Sequence, residues 1–317
     1  MEHLFSVVHR TPIKRSKTID HLTGAKVFLK MENMQKTGSF KIRGATHKVF
    51  SLSAQELKKG VVAASAGNHA QGVAYAAAQR GTRAKIFMPQ LAPQTKVDAT
   101  RAYGAEVVLI GDTYQESYEA ALKEDATFVH AFDDPLVMAG QGTVAFEMLQ
   151  QCPDLETLIV PVGGGGLLAG TAVAAKTLNP SIRLIGVQAE GAAATYNRFK
   201  NSGPTTLKRV STIADGLLVK EAGRLTFPII RKYVDDIVTV SDEEIARAML
   251  LMLEREKSFV EGAGAAALAA LIYRPLQTSN ENVGIFISGG NADPKNIPHY
   301  MKLAYRLNFQ ADVASNI

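Results

Sequence analysis

Lys41 lies in the octapeptide GSFKIRGA (residues 38–45), behind Phe40 and on a small-residue turn that opens a helix. A lysine held against apolar neighbours loses part of its ammonium solvation, so its pKa falls. The neutral amine can then attack a carbonyl carbon and form a Schiff base. Taken alone, the octapeptide equally suits a solvated lysine on a first helical turn. A second segment, Gly163–Gly166, follows the apolar run LIVPV and precedes a helix from about Leu167. Consecutive glycines let several backbone N–H groups turn toward one point, where the helix dipole adds positive potential. That arrangement cradles a phosphate, whereas a plain tight turn needs only one or two glycines.

The glycine segment admits a rival. Gly164-Gly165-Gly166-Leu167-Leu168-Ala169 fits G-x-G-x-x-A after a strand, and Glu190 closes the next strand 26 positions beyond Gly164. A dinucleotide fold places its ribose-binding acid near there, which makes an NAD-dependent oxidoreductase the alternative of another class. That alternative gives Lys41 no task. A third segment, Ser65-Ala66-Gly67-Asn68-His69, follows the run VVAA at a strand-to-helix turn. Its hydroxyl, amide and helix N-terminal N–H groups suit a small carboxylate. Capping by Ser65 or Asn68 is the simpler reading. The fourth segment, Ser288-Gly289-Gly290-Asn291, ends the run VGIFI and by itself is an ordinary turn. His47, His69 and His130 lack metal-ligand spacing, and no hydrolase G-x-S-x-G motif is present.

These segments need elements to hold them. From Val61 onward short apolar runs alternate with helical stretches: VVAAS, AKIFMP, EVVLIG and TFVHAF, each separated by turn residues and a helix. A second series begins near Gly140, with strands TLIVPV, RLIGVQAE, DIVTVSD and VGIFISGG and the helices LLAGTAVAAKTL, EEIARAMLLMLEREK and GAGAAALAALIY. The fold class is α/β: two open, twisted parallel-sheet domains with helices on both faces and the site in the cleft between them. The larger, phosphate-binding domain is expected to take residues 1–46 and 142–317, and the smaller, carboxylate-binding domain residues 47–141. About 12 C-terminal residues look weakly structured from their composition.

The bulk composition excludes several classes. The chain has 317 residues, above the size at which single cores usually stop growing, so two domains are expected. A net charge of +5 comes from 35 bases scattered among 30 acids, with no tryptophan, and describes a solvated face rather than a nucleic-acid stripe. No apolar run is long enough to span a bilayer, and the N-terminus does not read as a secretory signal. The single cysteine, Cys152, excludes an internal disulfide and fits a reducing, cytoplasmic location.

In this order, over almost the whole chain, GSFKIRGA, SAGNHAQG, VPVGGGGLLAG and SGGN resemble the pyridoxal-phosphate enzymes of the tryptophan-synthase-β fold type. Within that group the chain is similar to the short threonine/serine dehydratases and the related serine racemases, whose lysine motif differs from the S-x-K-D-R variant of cysteine synthases. The resemblance implies that Lys41 holds pyridoxal 5'-phosphate covalently, that Phe40 lies against its ring and that Asn68 bonds the ring hydroxyl. It assigns the phosphate to Gly163, Gly164, Gly165, Gly166 and Leu167, the ring nitrogen to Ser288, and the substrate carboxylate to the loop of Ser65, Ala66, Gly67, Asn68 and His69.

The implied reaction is β-elimination from L-threonine or L-serine, giving a 2-oxo acid and ammonia, with the freed lysine as base and the cofactor as electron sink. Serine racemase and 3-hydroxyaspartate dehydratase activities are the alternatives within the group. A serine at the ring nitrogen stabilises the carbanion less than an aspartate does, which favours rapid loss of the β-group. Ala66 stands where racemases carry a second serine, so elimination without efficient racemisation is expected. Relatives that bind a divalent ion do so with acids whose counterparts here fall on Gln188, Ala192 and Ala194, so no metal is expected. Lys36, Thr37, Gln71 and Tyr103 match residues of an adenine-nucleotide effector site at a subunit contact, and a homodimer or homotetramer is implied. The chain ends soon after the catalytic region, from which no C-terminal feedback domain and a catabolic role are expected.

Overall fold

The computed structural model of the chain describes residues 2–307. The first part runs α1 (Glu2–Val7), β1 (Ile13–Arg15), α2 (Lys17–Thr23), β2 (Lys26–Met31), α3 (Lys41–Phe50) and α4 (Ala54–Lys59). Next come β3 (Val61–Ala64), α5 (Asn68–Arg80), β4 (Ala84–Met88), α6 (Gln94–Ala102), β5 (Glu106–Leu109), α7 (Tyr114–Ala121) and β6 (Thr127–Phe128). The chain continues through α8 (Pro135–Gln151), β7 (Thr157–Pro161), α9 (Gly166–Leu178), β8 (Arg183–Ala189), α10 (Ala194–Lys200) and α11 (Thr226–Tyr233). It closes with β9 (Asp236–Val240), α12 (Asp242–Glu256), α13 (Gly262–Tyr273), β10 (Asn282–Ile287) and α14 (Ile297–Ala304). The tail expected to be weakly structured falls, beyond residue 307, outside the described residues.

Two sheets result, in strand orders β1-β2-β10-β7-β8-β9 and β5-β4-β3-β6. Every pairing is parallel except β1 with β2, which is antiparallel with Ile13 opposite Lys30. The larger sheet is therefore mixed at one edge. Only residues 16–25 connect those two strands, which is short for a parallel crossover. The run TFVHAF also gives less strand than its composition suggests. After the bond from Val129 N to Val62 O the chain turns away, because His130 Nδ1 accepts the N–H groups of Phe132 and Asp133.

The central strands are continuous apolar runs because both faces of the larger sheet are covered. Ile159, Ile185 and Ile285 point into a core shared with α12 and α13, while Leu158, Val160, Leu184 and Phe286 point into one shared with α8 and α9. A third core holds β3 and β4 against α3 and α5. Capping boxes start α4, α7 and α12, through Ser53–Glu56, Thr113–Glu116 and Ser241–Glu244. The C-terminal ends of β3, β7 and β10 lead directly into the Ser65, Gly163 and Ser288 segments. Those segments thus occupy the end of the sheets where open α/β folds bind ligands.

Candidate active site

Lys41 is the first residue of α3, and its Nζ donates to the carbonyl oxygen of Ala131 at 2.9 Å. The same nitrogen lies 5.3 Å from the centre of the Phe40 ring. Burial lowers the Lys41 pKa to about 8, and the nearby Glu261 carboxylate offsets part of that shift. At pH 7 roughly a tenth of the amine is unprotonated, far more than for a solvated lysine, so the solvated-lysine reading of the octapeptide does not hold.

Behind Lys41 the helix is held by a buried charge network. The Arg43 guanidinium donates to both Glu32 oxygens, at 2.8 and 2.7 Å, and to Glu147 at 3.1 Å. Lys30 donates to the other Glu147 oxygen, and all four side chains are at most 2% exposed. Two cations and two anions neutralise each other and tie β2, α3 and α8 together. Glu32 is held below its ordinary carboxylate range because the attraction and hydrogen bonds of Arg43 outweigh burial, the largest single influence.

The glycine segment caps β7 and opens α9. Gly165 has φ +96°, a left-handed conformation that favours glycine, and α9 begins with no side-chain cap. Its first-turn N–H groups therefore lack intrahelical partners, and they lie at the positive end of the helix. Phe132 packs on this loop. Its ring lies where a Cβ on Gly164 would go, and its main chain is 2.9 Å from the position of a Cβ on Gly166. Ala131 touches Lys41 and the next residue, Phe132, touches the glycine loop, so the amine and the cradle flank one short stretch of chain. Thr226 Oγ1 donates to the Gly164 carbonyl at 2.7 Å, and Asp133 accepts the N–H groups of Arg224, Leu225 and Thr226.

The third segment opens α5. Its N-cap is Gly67, with no side-chain capping bond, and Ser65 Oγ instead accepts Gly67 N–H at 3.2 Å. Neither Ser65 nor Asn68 caps the helix, which leaves a second open N-terminus facing the cleft. Asn68 is committed elsewhere: its Nδ2 donates to Glu261 at 2.7 Å and its Oδ1 accepts from Asn291 Nδ2 at 2.8 Å. His69 donates from Nε2 to the Val129 carbonyl at 2.8 Å, since a carbonyl can only accept. Burial and the Lys41 charge lower its pKa to about 3, so it is neutral. Ala66 packs against the core of the smaller sheet. Ser288 directly follows β10, accepts Phe40 N–H at its carbonyl and donates from its hydroxyl to the Ala263 carbonyl at 3.2 Å.

The structure thus brings Phe40, Lys41, Asn68, Ser288 and the 65–69 and 163–167 segments to one cleft. Glu261, Ala131, Phe132 and Asp133 carry no role in the sequence reading, and Asn291 appears there only as the last residue of the SGGN turn, without its contact to Asn68. Glu261 is the acid before the Ala-rich α13, where it reads simply as a helix-start residue.

The remaining candidates lie elsewhere. Lys36 Nζ is 5.9 Å from the Tyr75 ring, which meets Tyr103 edge-on at 5.6 Å, and the Tyr103 hydroxyl donates to the Lys36 carbonyl. Thr37 and Gln71 are buried. Gln188 accepts Tyr196 N–H at 2.7 Å in the first turn of α10, and Ala192 and Ala194 contribute no ligating side chain. Glu190 does not close β8 but opens the turn after it, facing Arg274 at 3.4 Å. Among the described residues no helix is long and apolar enough to cross a membrane.

Lys41 thus lies near His69 at the start of α5 and, through Ala131 and Phe132, near the glycine loop that opens α9, an arrangement that suits an enzyme holding a phosphate-bearing carbonyl cofactor on an amine. The glycine cradle, which admits no side chain, and the Lys41 amine fit pyridoxal phosphate. The family described as "Pyridoxal-phosphate dependent enzyme" matches residues 4–289, and this chain belongs to it. The chain is 50% identical over 294 residues to a Thermotoga maritima protein named L-threonine ammonia-lyase, covering 92% of this chain and 73% of the relative. It resembles the processed threonine deaminase isoform 2 of Solanum lycopersicum with TM-score 0.92 and 36% identity, covering 96% of this chain and 85% of the other. Maize serine racemase matches with TM-score 0.90 and 38% identity, covering 96% and 95%. The NAD-dependent reading gives way to the pyridoxal-phosphate one.

Proposed function

We propose that this chain is an ammonia-lyase that eliminates the β-hydroxyl of L-threonine and L-serine, releasing a 2-oxo acid and ammonia. The observation that carries the reading is the placement of Lys41 between two open helix N-termini. One, at α9, seats a phosphate, and the other, at α5, seats a substrate carboxylate. Bound pyridoxal phosphate supplies the electron sink that lets the α-proton leave. The Lys41 amine takes that proton, with the Ala131 carbonyl as its resting partner. Gly163 to Leu167 would bind the phosphate, Phe40 would lie against the ring, Asn68 would meet the ring hydroxyl and Ser288 the ring nitrogen. Residues 65–69 hold the substrate carboxylate. Water lost in the elimination is regained in hydrolysis, so the net products are the 2-oxo acid and ammonia.

A steady-state panel of L-threonine, L-serine and 3-hydroxyaspartate, scored for oxo acid and ammonia, tests this reading. Release from threonine or serine is expected, and no release from either overturns it. The likeness to a serine racemase raises a second activity, but Ala66 offers no proton to the opposite face of the α-carbon. D-serine formed from L-serine as fast as pyruvate would refute elimination without efficient racemisation.

The same proposal extends to organisation. Residues 1–46 with 142–317 form the phosphate-binding domain and residues 47–141 the carboxylate-binding one, with both boundaries inside α3 and α8, the helices joined by Arg43 and Glu147. The enzyme is cytoplasmic, with Cys152 as a free thiol, and assembles as a homodimer or homotetramer, which sedimentation would report. Lys36, Thr37, Gln71 and Tyr103 bind an adenine nucleotide. Calorimetry with AMP and ATP tests that site, and no heat with either dismisses it.

A further inference from the structure

The Asn68 amide is gripped from both ends. Its Oδ1 accepts from Asn291 Nδ2 at 2.8 Å, and the same Asn291 nitrogen also donates to the Thr37 carbonyl at 2.8 Å. Its Nδ2 donates to Glu261 Oε1 at 2.7 Å. The Thr37 carbonyl can only accept, so Asn291 presents its nitrogen, the Asn68 atom beside that nitrogen is the oxygen, and the Asn68 atom facing Glu261 is the nitrogen. An amide nitrogen carries two hydrogens, and Glu261 uses one. Whatever else meets that nitrogen from the cleft meets a donor.

We propose that Glu261, acting with Asn291, is a positioning residue that fixes the Asn68 amide as a hydrogen-bond donor toward the cofactor's ring oxygen. The proposal rests on the reading that Asn68 meets that oxygen. An amide side chain is nearly symmetric in shape, and without a fixed partner it can turn over and present its oxygen instead. An oxygen facing the anionic ring oxygen would repel it, whereas an N–H attracts it. Glu261 is well placed for this work, beside its electrostatic effect on Lys41. It precedes α13 without capping it, and Asn68 is its hydrogen-bonding side-chain partner. The charged groups that face it are Lys41 on α3, Lys96 on α6 and Asp215 in the turn before α11. Burial, with Asp215 adding to it, raises its pKa to about 7, so its grip on the amide is strongest above neutrality.

The test compares holoenzymes of the wild type, Asn68→Ala, Glu261→Ala, Glu261→Gln and Asn291→Ala. The measurements are the cofactor dissociation constant by equilibrium dialysis and the absorption maximum of the bound cofactor. Asn68→Ala, Glu261→Ala and Asn291→Ala are expected to weaken retention about tenfold and to move the maximum in one direction. Glu261→Gln keeps an acceptor oxygen in place and is expected to stay within about twofold of wild type. If Asn68→Ala alone changes both readouts, the positioning role is wrong while the Asn68 reading stands. If Asn68→Ala changes neither, the Asn68 reading itself fails. If Glu261→Gln matches Glu261→Ala, charge rather than orientation is at work and the proposal is overturned. Should an alanine variant fail to fold, Glu261→Asp replaces it, since it withdraws the acceptor by one methylene. It is expected to lose retention, and wild-type retention overturns the proposal.

Discussion

Lys41 and Ala131 meet across the cleft: the Nζ of the first residue of α3 donates at 2.9 Å to a carbonyl in the loop that leaves the smaller sheet. The bond places the amine beside the stretch that also packs on the glycine cradle. It offers no negative charge, so burial sets the proton affinity of the lysine.

The first expectation concerns pH. Burial lowers the Lys41 pKa to about 8, and only the neutral amine captures an aldehyde. Stopped-flow mixing of apoprotein with pyridoxal phosphate should show a capture rate that rises with pH through about 8 and then levels. A rate still climbing in proportion to hydroxide well above that point contradicts a desolvated lysine.

Gly166→Ala probes the cradle. The added Cβ would lie 2.9 Å from the Phe132 main chain, so the loop or Phe132 must move. We expect cofactor affinity to fall about tenfold or more and stability to drop by about 1–3 kcal/mol. Dialysis and thermal unfolding report the two effects separately.

Arg43→Leu tests the frame behind the lysine. It leaves Glu32 and Glu147 buried with one cation, Lys30, between them, and unfolding measurements should show a loss of about 3–5 kcal/mol. The sign with pH follows from Glu32, whose carboxyl is held below its ordinary value. In the wild type its contribution is present above the unfolded carboxylate pKa and lost as pH falls through the lower folded one. The variant should therefore lose part of the steep acid dependence of stability.

How much of this was legible in sequence follows from what each residue type announces. Lys41, the four glycines and the Ser65–His69 turn stand out because glycine runs and polar clusters at strand ends mark where backbone N–H groups converge. Glu261 does not stand out, and Asn291 does so only as part of the SGGN turn, not as a partner of Asn68. Their role exists only because α13 and the loop after β10 fold back onto Asn68, and no local pattern encodes that approach. Nothing local in the sequence marks Lys30, Glu32 or Glu147 for burial, since mutual neutralisation with Arg43 is what permits it. The edge strand β1 is not legible in the sequence, because the basic stretch around it lacks the apolar run of a central strand.

Lys96 and Asp215 form an ion pair at 3.0 Å that joins α6 of the smaller sheet to the turn before α11. Both groups are partly in water, so the pair holds these two elements together only modestly. Lys96→Ala should raise KM about two- to fivefold with kcat little changed, and high salt should produce the same rise in the wild type alone. Equal salt responses in both proteins would count against a role for this pair in substrate binding.

The most direct measurement is borohydride reduction of the holoenzyme followed by peptide mass mapping. The account predicts the reduced cofactor on the peptide carrying Lys41 and on no other lysine. Attachment at another lysine, or none with cofactor bound, would contradict the assignment of Lys41 as the amine that holds the cofactor and takes the substrate's α-proton.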